Sequence, residues 1–76
     1  MRYQYSKEVD CAYIHISDLP YSFTKEIDLS RVVDYAKDSS AIGIELLWVS
    51  DGVNVSGLPY ETEVRELLQH EGVKII

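Results

Sequence analysis

The chain has 76 residues, thirteen acidic and seven basic, for a formal net charge of -6, and it contains one cysteine. This length allows one domain, excludes a second core, and leaves a chain able to bury only roughly 60% of its unfolded surface, so association is the expected supplement. One cysteine excludes an internal disulfide and four-ligand zinc spacing, and the scattered bases Arg2, Lys7, Lys25, Arg31, Lys37, Arg65 and Lys74 argue against nucleic acid, which needs clustered Lys and Arg.

The first residues, Met1-Arg2-Tyr3-Gln4-Tyr5, lack the apolar core of a signal peptide, and no run reaches the ~18 apolar residues of a membrane span. A reducing cytoplasm is the expected compartment. Tyr3 to Tyr5 alternates, and Cys11 to Ser17 is rich in β-formers, so two strands joined by a tight connection are expected. In the second, Ala12, Ile14 and Ile16 share the core face, while Cys11, Tyr13, His15 and Ser17 share the other.

Asp18-Leu19-Pro20 interrupts the pattern, because proline has no ladder donor and restricts its neighbour. Phe23 to Ile27 then alternates and Arg31 to Tyr35 is β-branched, with Asp28-Leu29-Ser30 as the hairpin link. Lys37-Asp38-Ser39-Ser40 makes the next turn and leads into Ala41 to Val49, an apolar run with Glu45 in its middle. Such a run reads as a strand covered on both faces, so Glu45 is expected to be partnered, neutralised or turned toward a site. Glu45, Gly43 and Leu47 share one face of it; Ile42, Ile44, Leu46 and Trp48 share the other.

Residues 50–58 read as a loop and 59–71 as a helix. Pro59 is placed in the first helical turn, Glu61 and Glu63 at the positive end of the helix dipole, and Gly72 at C′. Tyr60, Val64, Leu67 and Leu68 form the docking stripe, and Glu61 with Arg65 forms an i,i+4 pair worth ~0.2–0.5 kcal/mol. His70 is expected to meet the negative end of the dipole, four residues after Glu66. The apolar residues 73–76 are expected to form a short strand or to dock. The whole is a single α+β domain: an antiparallel meander of about five strands (1–49) with one C-terminal helix packed on the sheet.

The order of Tyr5-Ser6-Lys7-Glu8-Val9-Asp10-Cys11-Ala12-Tyr13-Ile14, Thr24-Lys25-Glu26-Ile27, Val33-Asp34-Tyr35 and Ile42-Gly43-Ile44-Glu45-Leu46 resembles a small prokaryotic family catalogued as domain of unknown function 2283. The resemblance covers roughly the first fifty residues, and the extension from Gly52 to Ile76 looks like a longer variant. Ser6 stands where the family usually has Asp, and the turn at residues 37–40 lacks the usual glycine. The resemblance implies the fold and leaves the function open, since no catalytic group is established for the family.

Four residues are candidates for a site or interface: Glu45, Asp10, Tyr13 and His15. A desolvated Glu45 would serve as a general acid or base; the competing reading makes it a structural or interfacial carboxylate bonded to a tyrosine, an arginine or backbone N–H groups, and is preferred. Asp10 with Glu8 and Glu45 is a conceivable acidic metal site, but Asp10 is better read as capping turn N–H groups, and no metal or other cofactor is expected. Cys11 and His15 are too far apart for a nucleophile–base pair within one regular strand, at roughly 13 Å.

Six tyrosines suit cross-strand pairing of Tyr3, Tyr5 and Tyr13 and suit interfaces. Gly43 is expected to mark a close backbone or aromatic approach. The expected function is a non-enzymatic homo-oligomer, a dimer first, contacting itself or a protein partner through its sheet face and C-terminal segment, without nucleic acid or membrane. The alternatives are an antitoxin-like partner of a small toxin, or a ligand-binding or enzymatic site made by Glu45, Asp10 and His15 at a subunit interface.

Overall fold

A computed structural model describes residues 1–76. The elements are β1 (Arg2–Ser6), β2 (Cys11–His15), β3 (Phe23–Asp28), β4 (Arg31–Tyr35), β5 (Ala41–Leu47), a 3-10 turn (Val49–Asp51) and α1 (Glu61–His70). The five strands form one antiparallel sheet with the single C-terminal helix against it, in the order β1-β2-β5-β4-β3. Three connections are hairpins between neighbours. The fourth, from β2 to β3, runs past the end of the sheet, and β5 inserts between β2 and β4.

Alternation decides which face is buried. Ala12, Ile14, Val33, Ile44 and Leu46 point to one side and are almost wholly excluded from water. Their neighbours Cys11, Tyr13, His15, Asp34, Gly43, Glu45 and Leu47 point to the other, because directly opposed residues share a face. The covering layer has two parts. Val64 and Leu68 of α1 are fully buried, and Val53, Val55 and Leu58 of the preceding loop fill the remainder. That loop's Val-x-Val alternation makes it part of the core rather than a mere connection.

The helix begins later than the sequence suggests. Tyr60 is its N-cap in a left-handed conformation, φ 54°, so Pro59 lies before the cap and not in the first turn. A residue turned out by that backbone leaves the docking stripe, and Tyr60 is accordingly exposed. The Glu61–Arg65 pair forms at 3.6 Å, with both side chains well solvated. At the other end Gly72, φ 77°, takes C′: its N–H donates to the Gln69 carbonyl and the Val73 N–H to the Leu68 carbonyl, a Schellman closure. The closure directs residues 73–76 back along the 53 loop, where Val53 and Ile75 form a parallel bridge. The C-terminal segment is thus docked within its own chain.

The last but one residue of the apolar run departs from its expected face. Trp48 adopts a left-handed conformation, φ 52°, ends the strand and is about half exposed, whereas Ile42, Ile44 and Leu46 are buried. Tyr3 and Tyr5 lie opposite Ile14 and Ala12 on the covered side, and Tyr13 lies opposite Gln4 on the other, so the three tyrosines form no common cluster. The stacked aromatic pair is Phe23 with Tyr35, at 5.1 Å between ring centroids.

Candidate functional site

The sheet face without a covering layer holds most of the candidate residues, and glycine organises it. Gly43 lies on central β5 between His15 of β2 and Asp34 of β4. With no side chain there, the Tyr13 ring crosses over β5: a Cβ on Gly43 would stand 1.7 Å from the Tyr13 hydroxyl oxygen. The hydroxyl donates to Asp34 Oδ2 at 3.0 Å on the far side. Asp34 Oδ1 accepts from the Thr24 hydroxyl at 2.7 Å, and the Thr24 and Tyr21 hydroxyls lie 2.8 Å apart. A polar chain thereby spans β2, β4 and β3 across the face.

Burial, then the hydrogen bond to and charge of Asp34, push the Tyr13 phenol up to about 12, so at neutral pH it is a fixed donor. The expected aromatic approach at Gly43 is present, and Tyr13 is the residue that makes it.

Glu45 is opposite Tyr13 and is exposed, with no hydrogen-bond or ion-pair partner. The expectation of a strand covered on both faces, with Glu45 partnered, neutralised or turned toward a site, is corrected in its premise. β5 is covered on one face only, and water solvates a carboxylate on the bare one. A shallow groove of ≈ 280 Å³ beside it is lined by Gln4, Ser6, Cys11, Tyr13 and Glu45, among others.

Asp10 and His15 lie at opposite ends of β2. Asp10 is in the β1–β2 turn in a left-handed conformation, φ 55°. It caps an N–H, but not a local one: Ser50, forty residues away, donates its backbone N–H at 2.9 Å and its hydroxyl at 2.6 Å, and Tyr5 donates its hydroxyl at 2.7 Å. The Ser50 hydroxyl first, then Tyr5, hold the Asp10 carboxyl below the usual range, and Asp10 in turn raises Tyr5. His15 Nε2 meets Asp18 Oδ1 at 2.8 Å across an exposed turn. Five residues of extended strand separate Asp10 from His15, on the order of 16 Å. One chain therefore does not bring Glu45, Asp10 and His15 together, and no three His, Cys, Asp or Glu side chains lie close enough to hold a metal.

Arg31 is the polar residue that sequence reasoning passed over. It lies on the covered face of β4 at 8% exposure. Its Nε and Nη2 both donate to Asp28 Oδ2 at 2.9 Å, while Nη1 donates to the carbonyls of Asn54 and Ser56. One guanidinium thus ties the β3–β4 hairpin to the loop that completes the core. The available signal was an arginine in phase with Val33 on the inward side of a strand, three residues after an aspartate.

Residues 2–50 match the sequence model of a family described as Protein of unknown function (DUF2283). The match ends at the 3-10 turn after β5, so it covers all five strands and leaves out the helix. No curated protein and no solved structure matches the chain.

Proposed function

The chain belongs to this family of unknown function, and from that premise we propose that it is a self-associating protein-interaction module, a homodimer in the first instance, acting in a reducing cytoplasm. One observation carries the reading: a five-stranded open sheet has a covering layer on only one face, and both edge strands are bare. Chains of this size gain stability by association, and half-exposed tyrosines suit a surface with an apolar body and a polar tip. The backbone of residues 73–76 is bonded within its own chain, which favours the sheet as the main contact, while the exposed Ile76 side chain leaves the C-terminal segment able to contribute.

The test is sedimentation velocity on the purified chain over a micromolar dilution series. A concentration-dependent dimer is the expected result, and a monomer throughout refutes the reading. Recovery from the native host bound to a different, basic protein replaces it with the antitoxin-like alternative. A ligand that raises the melting temperature of the chain but not of Glu45→Gln replaces it with the interfacial-site alternative.

A further inference from the structure

The two edges of the sheet are not equivalent. β3 carries Lys25, Glu26 and Asp28, and its ladder is broken by a bulge between Glu26 and Asp28. Registers that pair the middle of β3 with itself set Lys25 against Lys25 or Glu26 against Glu26. Charges and bulges of this kind keep an edge from pairing with another sheet. β1 has none of them: its register with β2 is unbroken over five residues, and its only charge is Arg2 at the end.

Backbone direction on β1 follows from β2. The Asp10 carbonyl accepts from Val49, and the Ile16 N–H donates to Ile42, so even-numbered residues of β2 turn their N–H and C=O groups toward β5. Odd-numbered residues then face β1, which makes Ser6–Cys11, Gln4–Tyr13 and Arg2–His15 the hydrogen-bonded pairs. The N–H and C=O groups of Tyr3 and Tyr5 therefore point outward, without partners in the chain.

Resting on the proposal of self-association, we infer that β1 is its seam: two copies pair antiparallel through Arg2–Ser6 with Gln4 on the two-fold axis, joining two sheets into one of ten strands. In that register Tyr3 of each copy exchanges both backbone bonds with Tyr5 of the other, which satisfies every outward group of the two residues. Gln4 meets Gln4, and Arg2 meets a neutral Ser6, so no like charges oppose. The tyrosine rings stack in cross-strand pairs on the covered side, where a cleft of ≈ 450 Å³ lined by Tyr3, Tyr5, Val73 and Lys74, among others, adjoins the edge.

Gln4 is exposed and its side chain bonds to nothing in its own chain, so charging it leaves the fold intact while placing like charges on the axis. Gln4→Glu and Gln4→Lys are each expected to weaken the dimer, up to about fivefold at low salt, and an equimolar mixture of the two to recover wild-type affinity or better. Hydrogen exchange on the wild type is expected to show Tyr3 and Tyr5 amides that become protected as concentration rises. A wild-type dimer whose Tyr3 and Tyr5 amides stay unprotected, or whose affinity ignores the charge at Gln4, overturns the β1 seam and leaves self-association standing. A monomeric wild type overturns both.

Discussion

The Tyr13 crossing makes Gly43→Ala informative. The new methyl carbon would lie 1.7 Å from the Tyr13 hydroxyl oxygen and 2.3 Å from Cζ, so the ring must swing off the strand and release Asp34. Losing the hydrogen bond costs about 1 kcal/mol, below the usual range for a carboxylate acceptor because the face is partly solvated. Re-exposing roughly 40 Å² of apolar ring surface costs about 1 kcal/mol more. Against these, alanine is favoured over glycine inside a strand by about 0.5–1 kcal/mol, and Gly43 has no left-handed φ to forbid it.

The net loss is about 1 kcal/mol, which for a domain this small lowers Tm by roughly 4–8 °C. In a Tyr13→Ala background the clash is absent, and the same Gly43→Ala change is expected to be stabilising. Thermal or urea unfolding of the four variants measures the coupling between the two positions. A Gly43→Ala penalty equal in both backgrounds refutes the account of this face.

Other outcomes follow from the same geometry. Arg31→Met leaves the Asn54 and Ser56 carbonyls without their donor and is expected to cost about 1–3 kcal/mol in urea unfolding; Arg31→Lys, without the planar fork, should not restore the wild type, and full rescue by lysine would sink the clamp. Ser39 holds φ 70° in the turn before β5, so Ser39→Gly is expected to raise stability by roughly 1 kcal/mol, and a lower Tm would contradict this. Asp10, Asp28 and Asp38 have depressed pKa values, caused first by the Ser50 hydroxyl, the Ser30 N–H and the Ser40 hydroxyl respectively. Their stabilisation is fully present above the ordinary aspartate value of 3.8 and is lost as pH falls through the lower folded-state values; Asp10→Asn should flatten that acid decline in a pH series of urea midpoints.

Residue spacing alone reported whatever depends on near neighbours. Two-residue alternation at Ala12, Ile14 and Ile16 and at Ile42, Ile44 and Leu46 named the inward side of β2 and β5, because strand geometry forces alternate side chains apart. The 3.6-residue stripe of Val64 and Leu68, with Gly72 at C′, placed the helix and its end. The tertiary structure decided what depends on distant partners. It set β5 between β2 and β4, let Tyr13 reach Asp34 over Gly43, paired Asp10 with Ser50, and seated Arg31 beneath the 54–56 loop. It also solvated Glu45, the residue that looked most anomalous in the sequence, since an apolar run shows that a strand is central but not how many of its faces are covered. Local backbone rules act within a few residues, whereas the choice of neighbour for a strand, and of a cover for its face, is made by packing between segments tens of residues apart.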